Sequence, residues 1–283
     1  MRKTGAIVQA RALSTRLPSK VLLPLPFGQQ LMVLQHVIRR LKQARQIGVI
    51  IIATTEDPSD DPIVSIAQKE NVLYFRGSTN NVLSRYYKAA LEHGLEEVVR
   101  ITSDCPCIDP QVVDLLIEKH REGGVDYTSN TLKRTYPHGL DAEVFNFKAL
   151  EKAYHNADKE YEKEHVTPYL YRNPHLFKIN QVEATPEDFA PDIRITLDTE
   201  EDYALLCAVF EFLFLPNPDF RAKDIVRLFN EKPWLKLINK RIVQKKFFDN
   251  EEDELEEAMR VLGLQDLKRA REFISKNREP RSV

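Results

Sequence analysis

The apolar positions change period along the chain. Residues 5–8 (GAIV), 49–53 (VIIIA), 72–75 (VLYF) and 97–102 (EVVRIT) are short, nearly continuous apolar runs, the pattern of strands buried on both faces of a parallel sheet. Between them apolar residues return at steps of three and four. Leu31, Leu34, Ile38 and Leu41 predict a helix with Arg39, Arg40 and Lys42 on its wet face. Asp57 to Asp61, with Pro58 and Pro62, reads as a turn and the start of a helix that ends near Asn71. A third helix stops at Gly94, and a fourth runs from Pro110, a residue suited to a first helical turn, to His120. Strand and helix alternate from residue 5 to 120, so the pattern predicts an α/β fold with a mostly parallel, doubly wound sheet and right-handed crossovers.

Past Gly124 the rhythm loosens. DYTSN (126–130) and DAEVFNF (141–147) predict strands, with a helix around 150–155. EYEKEHVTPYLYR (160–172) is helical in pattern, with Pro168 at an end or a bend. Residues 176–183 alternate as a half-buried strand, and RITLD (194–198) predicts a last core strand. Thr199 with Asp202 resembles a capping box opening a long apolar helix to about Leu215. PNPD (216–219) is a breaker, which divides the chain into a domain over 1–215 and a helical C-terminal extension over 216–283. The extension reads as a short helix near 222–230, KPWLKLINKRI (232–242), an acidic turn at 249–254 and two short amphipathic helices separated by Gly263. Their apolar faces predict packing on the first domain or on a partner subunit, and a homodimer is the expected assembly.

Charge narrows the partners. Lys plus Arg number 41 against 43 Asp plus Glu, a net charge of −2, so no global field recruits nucleic acid or a membrane surface, and any anion must be met by a local cluster. No apolar run reaches membrane-spanning length and the N-terminus has no leader pattern, so the expected location is the cytoplasm. The three cysteines, 105, 107 and 207, then read as reduced thiols.

One such cluster exists. GAIVQARALSTRLPSK (5–20) turns from a buried strand into a loop carrying Arg11, Arg16 and Lys20, at the carboxyl end of a strand, where open α/β sheets bind ligands. Arginine forks and a lysine point charge suit a polyphosphate; the same loop also fits a merely solvated basic surface. Asp104 follows VVRITS and Asp198 follows RITL, so both carboxylates are expected at the same sheet edge. Two hard oxygen ligands beside a cationic loop suit Mg2+ carrying a triphosphate. Read singly, Asp104 also fits a turn before Pro106 and Asp198 a helix-start acid.

The motifs VQARALSTRLPSK, TSDCPCIDP, GLDAEVF, EHVTPY and ITLDTEEDY, in that order, resemble the spore coat polysaccharide biosynthesis protein F family of cytidylyltransferases, relatives of CMP-Kdo and CMP-sialic acid synthetases. The resemblance runs from about residue 5 to 215. It implies a glycosyltransferase-A-like nucleotidyltransferase fold, with CTP as donor, Mg2+ as cofactor, and transfer of CMP to a sugar, acid sugar or phosphonate acceptor with release of pyrophosphate. On this reading Arg11 and Lys20 hold the triphosphate, with Arg16 in support, and Asp104 and Asp198 ligate the metal. Ala10, Ala53 and Thr54 face the base, and Arg76, Gly77 and Ser78 form the family's RGS turn near the nucleotide. Asn81 stands where the family often has an aspartate. Asp141, Glu143, His165 and Arg194 are the implied acceptor-binding residues. Tyr136, Tyr154, Tyr161, Tyr169 and Tyr171 read as packing residues rather than a sugar platform. A guanylyl- or uridylyltransferase, or a nucleotide-binding module without catalysis, remains an alternative at this stage.

Overall fold

A computed structural model describes residues 2–242 and 251–277. Seven strands form one sheet: β1 (Thr4–Gln9), β2 (Val49–Thr55), β3 (Leu73–Gly77), β4 (Glu97–Thr102), β5 (Tyr127–Ser129), β6 (Glu143–Asn146) and β7 (Ile179–Gln181), in the order β3-β2-β1-β4-β6-β5-β7. The pairs β1–β2, β1–β4, β2–β3 and β5–β7 are parallel, whereas β6 runs antiparallel to both β4 and β5. The mostly parallel α/β architecture is the expected one.

Alternation along the strands divides the core. Ala6 and Val8, Ile50 and Ile52, Val99 and Ile101 point to one face; Ile7, Ile51, Ala53 and Val98 point to the other. Helices α1 (Val33–Leu41), α2 (Asp61–Lys69), α4 (Pro110–Gly123), α8 (Glu200–Leu213) and α9 (Ala222–Glu231) supply the first face. Helices α3 (Val82–Glu92), α5 (Phe147–Asn156) and α7 (Pro168–Tyr171) supply the second. Burial on both sides is why these strands read as continuous apolar runs.

Three expectations change. RITLD is not a strand of the sheet: the segment is extended, but it pairs only by an isolated bridge between Arg194 and His138, with Ile195 and Leu197 buried. The helical stretch 160–172 splits into α6 (Glu160–His165) and α7, because Pro168 takes the first position of a new helix. Gly263 lies inside α10 (Glu251–Leu264); the chain breaks later, at Asp266 in the left-handed region (φ 55°), before α11 (Lys268–Asn277). Of the acidic turn at 249–254, residues 249 and 250 lie outside the described residues, and Glu251 onward is the first turn of α10.

The chain forms two compact units, residues 1–240 and 241–283. The first continues beyond PNPD: Phe220, Ile225, Leu228, Phe229 and Leu235 are buried in its main core, so α9 and the turn Pro233–Leu237 pack with the sheet. In the second unit α10 and α11 pair with each other and bury no residue fully.

Candidate active site

The site begins where β1 runs out. The following loop folds back on itself, with the Ser19 N–H donating to Ala12 O at 2.9 Å and Ser19 in the left-handed region (φ 54°). Lys20 follows, and its ammonium is met by three acceptors: Asp104 Oδ2 at 2.8 Å, Asp198 Oδ1 at 2.9 Å and Leu197 O at 2.7 Å. The Leu197 N–H in turn donates to Asp104 O at 2.9 Å, so the two acid-bearing segments are joined by backbone as well as through the lysine. Arg16, 40% exposed, reaches Asp198 Oδ1 at 3.0 Å.

Charge explains the proton states. Burial works against the Lys20 cation, but Asp104 and then Asp198 outweigh it and raise its pKa. Burial likewise opposes ionisation of Asp104 and Asp198, and Lys20 overrides it, helped at Asp198 by Arg194 and Arg16; both carboxyls sit below the ordinary value.

Behind Asp198 stands a bracing network. Arg194 donates to Asp198 Oδ2 (2.9 Å) through Nη2, to Asp202 through Nε (3.0 Å) and Nη2 (2.8 Å), and its Nη1 lies 3.2 Å from His138 Nδ1. Asp202 also completes the expected capping box of α8, accepting from the Thr199 N–H at 3.3 Å. It takes a further bond from Asn239 Nδ2 at 2.9 Å. The Arg194 guanidinium therefore bonds to its own chain on three sides and holds Asp198 in place. His138 Nε2 lies 3.7 Å from Asp141 Oδ2, and Asp141 is gripped by both terminal guanidinium nitrogens of Arg134.

On the other side of the loop lie the residues expected near the nucleotide. Arg11 is exposed and has no hydrogen-bond or ion-pair partner among the described residues. Ala10 is buried, its N–H donating to Ala53 O at 3.1 Å. Ala53 and Thr54 are fully buried, and the Thr54 hydroxyl donates to Asp60 (2.9 Å). Arg76 donates to Thr55 O (2.8 Å) and Asp57 O (2.8 Å) and pairs with Asp61 Oδ1 (2.7 Å), which clamps the segment after β2. A Cβ at Gly77 would come within 2.9 Å of the Phe75 ring, which would have to shift to admit it. Ser78 accepts from the Asn81 N–H (3.2 Å) through its hydroxyl and from Arg85 Nη1 (3.1 Å) through its carbonyl. Asn81 caps α3, its side chain accepting from the Ser84 N–H at 2.8 Å.

Glu143 falls in a separate buried group, which the His165 motif joins through Thr167; His165 itself is partly exposed. The Glu143 carboxylate pairs with Arg100 and accepts from the Tyr127 hydroxyl and from Thr167 Oγ1 (2.7 Å), so GLDAEVF and EHVTPY meet in space. Between His165 and Thr167 the backbone makes a tight turn: Val166 sits at φ 73°, ψ −56°, and the Thr167 N–H donates to His165 O at 2.9 Å. A β-branched residue in this γ-turn is strained, at about 1–3 kcal/mol. The five tyrosines are dispersed: Tyr136 is in the first core, Tyr154 stacks on Tyr87 (4.2 Å), Tyr161 meets Arg172, Tyr169 meets Phe177, and Tyr171 meets Tyr127.

Sequence reading missed Asp60, Arg100, Arg134, His138 and Asn239. Arg100 carried a signal, a lone cation inside an apolar strand. Asn239 carried none, since its partner lies 37 residues away.

The mostly parallel sheet, with a cationic loop at the end of its first strand and two acids beside it, places the chain among enzymes that transfer nucleotides. The chain belongs to the cytidylyltransferase family, whose model matches residues 5–253. It is 38% identical over 250 residues to protein MJ1063 of Methanocaldococcus jannaschii, covering 88% of this chain and all of that one. It is 35% identical over 230 residues to the spore coat polysaccharide biosynthesis protein SpsF of Bacillus subtilis, covering 80% of this chain and 94% of that one. The solved structure of a cytidylyltransferase from Leptospira borgpetersenii superposes with a TM-score of 0.77 at 31% identity, covering 88% of this chain and all of that one.

Proposed function

We propose that this protein transfers CMP from CTP to a small sugar-like or acidic acceptor in a Mg2+-dependent reaction that releases pyrophosphate and serves surface polysaccharide or glycan synthesis. The observation that carries the reading is the convergence of Asp104 Oδ2 and Asp198 Oδ1 on one cation, the Lys20 ammonium, at 2.8 and 2.9 Å. Two carboxylates that share a positive charge at this spacing form a donor set suited to a hard cation that fills its remaining positions with water and phosphate oxygens. The described residues offer no cluster of three or more His, Cys, Asp or Glu side chains for a metal, which suits Mg2+ better than zinc.

The chemistry is an in-line displacement at the α-phosphorus. An acceptor oxygen forms the new P–O bond, a hydroxyl acceptor releasing its proton to solvent, the bond to the β-phosphate bridging oxygen breaks, and pyrophosphate leaves with that electron pair. Arg11 and Arg16 supply loop cations for the β- and γ-phosphates, and Lys20, fixed on three sides, neutralises charge at the α-phosphate. Mg2+ held by Asp104 and Asp198 would add Lewis-acid stabilisation of the same charge. Arg194 and Asp202 keep Asp198 oriented and ionised. The relation to the Bacillus subtilis spore coat protein supports a glycan pathway.

Calorimetric titration of the purified chain with CTP, UTP, GTP and ATP, each with Mg2+ and with chelator, tests this. Metal-enhanced binding of CTP alone is expected. Preference for another nucleotide removes the CTP assignment, and equal binding with chelator removes the Asp104–Asp198 metal site.

A further inference from the structure

Asp60 is a carboxylate 1% exposed, it forms no ion pair among the described residues, and it lies outside the Lys20 cluster. It closes the short turn Pro58–Asp60 between β2 and α2. Four donors meet it. The Ala12 N–H donates to Oδ1 at 2.6 Å, while Oδ2 accepts from Thr54 Oγ1 (2.9 Å), the Thr55 N–H (3.1 Å) and the Thr55 hydroxyl. A buried acid is costly unless its lone pairs are satisfied, and three of these donors come from its own neighbourhood. The fourth crosses 48 residues to the cationic loop.

Ala12 is the residue on which that loop closes. Its N–H is held by Asp60 and its carbonyl by the Ser19 N–H. Arg11 precedes this point and Lys20 follows Ser19, so one residue, through its N–H and its carbonyl, fixes both ends of the cation-bearing segment. Arg76 clamps the Asp60 turn from outside through Thr55 O, Asp57 O and Asp61. We propose that Asp60 is a positioning residue for triphosphate binding: its carboxylate pins the loop after β1 at Ala12 and so presets Arg11 and Lys20 for the phosphates. This rests on CTP being the ligand of the site.

Carboxylate is required rather than amide. Asparagine would set its NH2 against either the Ala12 N–H or the Thr55 N–H, donor against donor, at nearly unchanged volume. Asp60→Asn therefore weakens either the pin on Ala12 or the Thr55 bond that fixes the side chain behind it, without opening a cavity. Because the loop grips phosphates and not the base, the loss should scale with phosphate number, which general destabilisation would not produce.

The test is calorimetric binding of CTP and CMP, with Mg2+, to the unaltered chain and to Asp60→Asn, with folding checked by circular dichroism. The expected result is CTP affinity reduced at least tenfold and CMP affinity reduced less than threefold. Unchanged CTP affinity, or equal losses for the two nucleotides, overturns the proposal. Hydrogen exchange at the Ala12 amide of the unaltered chain reads the same pin if Asp60→Asn does not fold: protection supports it, and exchange at an open-loop rate overturns it. An unaltered chain that binds no CTP overturns the functional reading instead, and the Ala12 amide then decides whether the pin itself stands.

Discussion

Two regions along one edge of the sheet, the loop after β1 and the neighbourhood of β5 and β6, handle charge in opposite ways. Beside β1, Lys20 is satisfied on three sides but the two arginines are largely unspent: Arg11 has no partner among the described residues, and Arg16 makes a single half-exposed contact with Asp198. Toward β5 and β6 they are used up internally, Arg100 on Glu143 and Arg134 on Asp141. The first arrangement holds binding energy in reserve for an incoming anion. In the second each guanidinium already has its counter-charge within the chain, and breaking such a buried pair by removing one partner is costly.

The sharpest way to break the comparison is Asp198→Ala. It leaves Lys20 and Arg194 facing one another without their shared anion, and pyrophosphate release with an acceptor found by screening should fall about 10³-fold or more. Unchanged turnover would remove the two-acid site. Next in size is Glu143→Ala, which strands the Arg100 guanidinium in a buried site. A loss of roughly 3–5 kcal/mol in urea unfolding is expected, with CTP affinity kept; an equal loss of nucleotide binding would show that the two halves are not separate.

A pH effect comes third. His36 is buried against Phe210 and Phe214, and burial lowers its pKa from 6.5 to about 4 despite the bond to Leu25 O. The unfolded chain therefore binds the extra proton between those values, and stability falls as pH drops through that window, by up to about 3 kcal/mol. Denaturant midpoints at pH 7 and pH 4.5 measure it, and His36→Gln should flatten the difference. Smallest is Arg11→Ala: no partner is lost within the described residues, so stability should stay within about 0.5 kcal/mol, whereas CTP affinity should drop roughly tenfold and lose part of its salt dependence. A matched fall in stability would mean that Arg11 serves the fold.

The same contrast decides what was legible in the sequence. Lys20, Asp104 and the strand before each were readable because an apolar run stops abruptly at a polar residue, and the sheet edge brings such stops together. Asp198 was found for a partly different reason: RITL alternates like a strand, yet its order comes from single bonds to His138 and Asp104 with Ile195 and Leu197 buried, and pattern alone does not distinguish an extended core segment from a sheet member. Among Asp57, Asp60 and Asp61, only the tightness of one turn selects which carboxylate faces inward. Arg194 looked available because its two acids, four and eight residues on, read as helix-start residues.

Asn239 has a consequence for the order in which the protein is made. The last bond bracing Asp202, and through it Arg194 and Asp198, comes from the final residues of the first unit. Every strand, and every residue around Lys20, is translated well before it. A nascent chain can thus lay down its sheet and draw its acids together while the brace behind Asp198 is still inside the ribosome, and a product cut at the Pro216 break would carry all the acids and cations of the site with their backing unfinished.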